Sequence, residues 1–292
     1  MCEFGYRSAV SVDDAIEILA REGATACLAA GTTNIMADIR HGRRKPGVLV
    51  DISRLAELSG IAVDGGIVRI GALSTIAQIA SSPVIADLAP ALSDAARHFA
   101  DPVTRNKATI GGNIAHASPA ADCAPPLLAY GADVLIMSSG GCRKAPLSEF
   151  FLGVNSTILA YNEIIAAFEM APCKSSSFIK VGLRNAMAIS VASVAVALSM
   201  GPDGCIDDCR VAFGSLAARP VRAFNVEEAL RGQKPGGAAL EGARAALAQD
   251  ISPIDDVRAT GEYRLSVAGT IMERAVAASS SRCASVHMGG CP

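Results

Sequence analysis

The chain has no tryptophan, and aromatic residues make up only 4% of its 292 positions. Hydrophobic residues nevertheless account for 51%, so the core must be built from Ala, Val, Leu and Ile, and there is ample material for one. Charge of one sign is also missing. With 26 basic and 28 acidic residues, well mixed and summing to −2, no basic face for nucleic acid is expected. The longest apolar run, residues 188–200 (AISVASVAVALSM), is too short to span a bilayer and carries serines, so no membrane partner is expected. The N-terminus holds Glu3, Asp13 and Asp14 without an uninterrupted apolar stretch, which does not read as a signal peptide and predicts a cytoplasmic protein. Nine scattered cysteines, an odd number, predict no disulfide framework. Cys205 and Cys209 stand four apart with no second pair at matching spacing, so buried thiols rather than a metal site are expected there. Neither G-x-x-x-x-G-K-[ST], nor G-x-G-x-x-G between strand and helix, nor G-x-S-x-G occurs.

What is present is a mixture of helical and strand periods without regular βαβ alternation, an α+β pattern. Ser11 is placed to cap a helix whose apolar stripe is Val12, Ala15, Ile16, Leu19 and Ala20. Short strands are expected in TACLAAG and GVLVDIS, with a turn into a short helix over TTNIMADIRHG between them. Asp64-Gly65-Gly66 predicts a hairpin. Ser74 is a candidate cap for TIAQIASSP, and ADLAPALSDAARHFA reads as one further helix. ADVLIMSSGGCRKAPL reads as strand, turn, strand, and EIIAAFEMA closes this half. The small polar segment 172–177 marks a domain boundary. Beyond it, two apolar runs flank Gly201-Pro202-Asp203-Gly204, a second hairpin. Helices follow over VEEALRG, AALEGARAALAQ and GEYRLSVAGTIMERAVAAS, and residues 281–292 are expected to form a loose tail.

Two stretches share an unusual character: CLAAGTTNIMADI, Cys27 to Ile39, and NKATIGGNIAHASPAAD, Asn106 to Asp122. Each is a strand-to-turn or turn-to-helix segment carrying Gly, Thr and Asn. Such turns expose consecutive backbone N–H groups, glycine lets a ligand approach the chain, and a following helix adds unpaired donors favourable to anions. A diphosphate bridged by both loops fits this chemistry, with Thr109, Asn113, Ser118 and Asp122 available for hydroxyls of a sugar or ribityl chain. The alternative is ordinary turns with helix caps.

Over nearly its whole length the chain resembles the FAD-binding medium subunits of the molybdenum hydroxylases, the group that includes xanthine dehydrogenase and carbon monoxide dehydrogenase. LAAGTTN is similar to that family's first pyrophosphate loop and ATIGGNIAHASPAAD to its second. FIKVGLRNAMAIS, VAFGSLAARPVRA and SPIDDVRATGEYR resemble its later signature segments. The resemblance implies an FAD-binding domain of the vanillyl-alcohol oxidase (p-cresol methylhydroxylase) type, two α+β subdomains over residues 1–174, then a small α+β domain over 175–280. It implies that Ala29, Ala30, Gly31, Thr32, Thr33 and Asn34, with Thr109, Gly111, Gly112 and Asn113, cradle the diphosphate, mainly through backbone N–H. His116 and Asp122 are implied beside the ribityl and ribose, Phe99 beside the flavin, and Lys180 near the pyrimidine edge of its ring. For Asp122 a local role capping the helix that follows remains open, as does a surface position for Lys180. Ala30 stands where the family usually has glycine, Ala188 where it often has aspartate, and Asp101 where a small residue is common. If Ala30 needed a positive φ, it would cost ~1–2 kcal/mol.

The implied function is electron transfer in a hetero-oligomeric oxidoreductase, the chain itself carrying no catalytic residue and no metal. A large molybdopterin subunit would hydroxylate a purine, N-heterocycle or aldehyde. A small subunit with 2Fe–2S clusters, whose cysteine spacing this chain lacks, would feed electrons singly to FAD, which releases them in pairs to NAD or another acceptor. The alternative is a self-contained FAD-dependent oxidoreductase of the same fold.

Overall fold

The computed structural model describes residues 3–183 and 189–288. Arg184 and Ala188, which fall in one of the segments carrying the family resemblance, lie outside the described residues. The chain opens with β1 (Gly5–Ser8), α1 (Val12–Glu22), β2 (Ala26–Ala29), α2 (Ile35–Arg40) and β3 (Val48–Asp51). The three strands form a parallel sheet in the order β1-β3-β2. The Ser11 hydroxyl accepts the Asp14 amide at 3.1 Å, and Asp13 and Asp14 occupy the positive first turn of α1. Ala15, Ile16 and Leu19 are buried against Val50 and Ile52, so the apolar stripe read from the sequence is the face α1 lays on the sheet.

β4 (Ile61–Asp64) and β5 (Ile67–Gly71) form the expected hairpin. Gly65 and Gly66 have φ of 54° and 79°, the two positive angles a tight two-residue turn of matching twist demands. α3 (Ile76–Ser81) is capped by Thr75 rather than Ser74. Thr75 Oγ1 accepts the Gln78 amide at 3.2 Å while Gln78 Oε1 accepts the Thr75 amide at 2.8 Å, a reciprocal box. Ser74 is buried instead, and its hydroxyl pairs with both backbone groups of Gly60. The single helix expected over 86–100 is two, α4 (Pro83–Leu88) and α5 (Pro90–Arg97), because Pro90 cannot donate and forces Ala89 out of helical geometry.

α6 (Pro102–Lys107), capped by Asp101, α7 (Ile110–His116) and α8 (Ala124–Ala129) follow. Then come β6 (Asp133–Ser138), β7 (Gly141–Pro146), α9 (Leu147–Phe150), β8 (Phe151–Gly153), β9 (Ser156–Thr157) and β10 (Ile164–Met170). A five-stranded antiparallel sheet, β4-β5-β10-β6-β7, results. Its core packs Val68, Ile70 and Phe168 against Ile76, Leu92, Ile110, Ile114 and Leu127.

The remainder is a four-stranded antiparallel sheet of β11 (Ser176–Gly182), β12 (Ser190–Met200), β13 (Ile206–Gly214) and β14 (Val221–Arg222), with α10 (Phe224–Leu230), α11 (Gly237–Asp250) and α12 (Gly261–Met288). The apolar run of β12 is buried on both faces. Val194, Val196 and Leu198 point into the core beneath α12, while Ala195 and Ala197 belong to the core of the preceding sheet. Alanine on that second face lets α5 and α8 approach closely. The tail expected to be loose from residue 281 is helical to Met288. It is tied down by Ser279 Oγ on the Val196 carbonyl and by Arg282 on Asp94 and the Ser176 carbonyl. Among the described residues no helix is long and apolar enough to cross a membrane.

Candidate functional site

A cleft of about 950 Å³ runs between these layers, in the upper part of the size range of small-molecule sites. The carboxyl end of β2 delivers the first loop to its wall. Among the described residues no group accepts from the amides of Gly31, Thr32, Thr33 or Asn34. Thr32 has φ 57°, a left-handed conformation that a β-branched residue adopts at a cost of ~1–2 kcal/mol. Ala30 has no positive φ, so the alanine at the family's glycine position carries no such strain.

Gly31 explains why the two distant loops meet. A Cβ built there would lie 1.7 Å from the Lys107 carbonyl oxygen and 3.2 Å from the Ala108 Cα. The first loop therefore rests backbone on backbone against the chain leading into the second.

The second loop is built differently from expectation. The Ile110 and Gly111 amides donate to Ser74 and Ala72 carbonyls at 3.1 and 2.8 Å. The Gly112 amide donates to Thr109 Oγ1 at 3.1 Å, and the Asn113 amide to the Thr109 carbonyl at 2.9 Å. These four N–H groups serve the fold, which leaves the amide of Thr109 and those of residues 31–34 without an acceptor among the described residues. Gly111 sits where a Cβ would be 2.8 Å from the Ala72 oxygen. Gly112 is exposed on the cleft, and a Cβ there would meet only the Thr109 hydroxyl at 2.9 Å.

The short polar side chains are likewise partly engaged. Asn113 Oδ1 accepts the Cys123 amide at 3.3 Å, and Ser118 Oγ accepts the Ala120 amide at 3.2 Å. Asp122 does not cap α8. It accepts from Lys180 Nζ at 2.7 Å and from Ser190 Oγ at 2.5 Å. Burial pushes its carboxyl up, opposed by the ammonium of Lys180. Asp122 is among the described residues of the cleft wall and Lys180, its side chain 10% exposed, is not. Ala29 also lies off the wall, its carbonyl accepting the Ile52 amide at 2.9 Å. Phe99 is on the wall, half-buried, with its carbonyl held by Arg105 Nη1 at 2.8 Å.

His116 closes one side, Nδ1 4.0 Å from Asp38 Oδ2, with Asn155 Nδ2 donating to its carbonyl at 2.8 Å. Burial holds its pKa below the ordinary 6.5, against the pull of Asp38 and with help from Arg44 and Arg43. Between that lowered value and 6.5 the unfolded chain binds the extra proton, so stability falls as pH drops through this window. His116→Asn is expected to flatten that part of the Tm–pH profile; an unchanged acid slope would deny His116 the role.

Arg43, Arg44 and Ile164 line the wall outside the segments that carry the resemblance, while Ile189, Ser215 and Arg264 lie within those segments but were not singled out as site residues. They come from segments far apart in the chain, and only the packing brings them together.

A cleft of this size with open backbone amides on its wall suits an anionic ligand of dinucleotide size. Residues 2–170 match the FAD binding domain in molybdopterin dehydrogenase, and residues 177–279 match the CO dehydrogenase flavoprotein C-terminal domain. The chain belongs to this family of FAD-binding oxidoreductase subunits. It is 33% identical over 276 residues to the xanthine dehydrogenase FAD-binding subunit of Escherichia coli O157:H7, covering 93% of this chain and 94% of that one. To the carbon monoxide dehydrogenase medium chain of Hydrogenophaga pseudoflava it is 30% identical over 283 residues, covering 96% and 98%. The solved structure of carbon monoxide dehydrogenase from the same organism superposes with a TM-score of 0.93 at 31% identity, over 96% of this chain and 98% of that one.

Proposed function

We propose that this chain is the FAD-binding electron-transfer subunit of a molybdopterin hydroxylase. It would take electrons from 2Fe–2S clusters in a small partner and pass them to NAD or another acceptor, while a large partner oxidises a purine, N-heterocycle or aldehyde. The observation that carries this reading is the junction of the two loops, which sets four undonated amides of residues 31–34 on the wall of a cleft large enough for a dinucleotide. Those amides would hold the diphosphate. Asn113, Ser118 and Asp122 would lie along the ribityl and ribose hydroxyls, and Phe99 would pack beside the ring. FAD, when bound, supplies the conversion between single-electron and hydride transfer. The chain's own groups bind it, orient it and keep water from it.

The relatives' names support a partner-determined substrate. One is named for xanthine and another for carbon monoxide, yet this chain is almost equally similar to both. In this reading residues 1–174 form the FAD-binding domain, in two subdomains, residues 175–280 the small second domain, and the complex works in the cytoplasm.

Expression together with candidate large and small subunits tests the reading. A yellow complex of three chains with one FAD per copy of this one, reduced anaerobically by the large subunit's substrate, is the expected result. A yellow monomer reduced directly by an organic substrate would favour the self-contained oxidoreductase. A colourless protein that rejects added FAD would overturn both.

A further inference from the structure

Among the described residues, the carboxylates and guanidinium groups of the cleft wall are ion-paired with one exception. Asp38 holds Arg43 at 2.8 Å, and Glu163 holds Arg143 at 2.7 Å. Asp122 holds Lys180 at 2.7 Å, and Asp256 holds Arg258 at 2.9 Å and Arg264 at 2.6 Å. Arg44 stands on the same wall and is exposed, yet no described residue pairs with its guanidinium. Its place relative to the first loop is fixed by backbone contacts. The Asp38 amide donates to the Asn34 carbonyl at 2.9 Å, one helical turn on from the loop. The Arg43 and Arg44 amides donate back to the Asp38 carbonyl at 2.9 and 3.3 Å. The basic turn therefore folds onto α2 beside the open amides of residues 31–34. Arg44 also lies close enough to His116, the last residue of α7, for its charge to oppose protonation there.

An exposed guanidinium without a counter-ion costs the fold little, because water solvates it. Beside open amides on a cleft wall it can meet an oxyanion with two parallel N–H groups and a full positive charge. We propose that Arg44 is the cation that pairs with the diphosphate of bound FAD, while Arg43, already held by Asp38, belongs to the scaffold. The inference rests on the FAD reading above. A diphosphate brings negative charge into the cleft. The amides of residues 31–34 supply directional donors but no net charge, and Arg44 supplies the charge. Lys45, next in the chain, is exposed but is not on the wall, so it adds only to the general field.

The experiment titrates apoprotein with FAD at low ionic strength and at ~1 M salt, where the screening length is about 3 Å. It compares the wild type with Arg44→Gln, Arg44→Lys and Lys45→Gln. Arg44→Gln should weaken FAD about tenfold at low salt, and most of that difference should vanish at high salt. Arg44→Lys keeps the charge but not the planar fork, and should fall between Arg44→Gln and the wild type. Lys45→Gln removes the same charge away from the wall and should change the affinity little. Inorganic pyrophosphate, competing with FAD, should bind the wild type better than Arg44→Gln, a comparison that no ring or adenine contact can influence. Wild-type affinity in Arg44→Gln at low salt, a loss that persists undiminished at high salt, or an equal loss in Lys45→Gln would overturn the proposal. So would pyrophosphate that competes no better with the wild type than with Arg44→Gln. A wild-type protein that takes up no FAD would instead sink the underlying reading.

Discussion

Lys180→Ala is expected to lower the unfolding free energy by about 3–5 kcal/mol, because it strands a buried carboxylate. Lys180 and Asp122 meet at 2.7 Å with side-chain exposures of 10% and 8%, so little water remains to solvate Asp122 once the ammonium is gone. The Ser190 hydroxyl is a neutral donor and does not offset the charge. The lone carboxyl would escape part of the cost by holding its proton. The variant's deficit should therefore shrink as pH falls and be largest above neutrality. Asp122→Asn in the same background removes the stranded charge and should recover much of the loss. Chemical denaturation of the two single variants and the double variant gives the coupling energy. A Lys180→Ala protein within 1 kcal/mol of wild type at pH 8 would show that this pair is not a pillar of the fold.

Gly31→Ala should be the most damaging small change at the cleft. The added Cβ meets the Lys107 carbonyl oxygen at 1.7 Å, and that neighbour is backbone, which no rotamer change relieves. The two loops must separate, and the segment 31–34 loses its support. FAD affinity is expected to fall at least a hundredfold, roughly 2.8 kcal/mol, with a clear drop in Tm. Gly111→Val should also cost stability, since its side chain would press on the Ala72 backbone at 2.8 Å. Gly112→Ala is the contrasting case. Only the Thr109 hydroxyl stands near its Cβ, at 2.9 Å, so the fold should lose no more than part of the α7 cap while the new methyl on the cleft wall weakens FAD. Fluorescence titration of the apoproteins with FAD, beside their melting curves, separates the three. Wild-type affinity in Gly31→Ala would mean that the loop junction does not form the diphosphate site.

Local chemistry made much of this readable. The Ser11 cap, the Asp64-Gly65-Gly66 turn and the hairpin at 201–204 follow from dihedral preference and hydrogen bonds a few residues long. The motif-bearing loops were visible for the same reason, because glycine, threonine and asparagine at a turn announce exposed backbone. What failed was decided by neighbours distant in sequence. Ser74 lost the cap to Thr75 because the buried backbone of Gly60 claimed its hydroxyl. The last helix outran its expected end because Ser279 and Arg282 found partners on β12 and α5, some eighty and almost two hundred residues away in the chain.

The sequence by itself determined the class of elements, the two loops and the family, because these rest on short-range preferences and contiguous motifs. Tertiary structure alone decided which amides stay undonated and that Lys180 faces Asp122. A hydrogen-bond donor is available to a ligand only if no other part of the chain has claimed it. Those claims are settled when segments a hundred residues apart pack together.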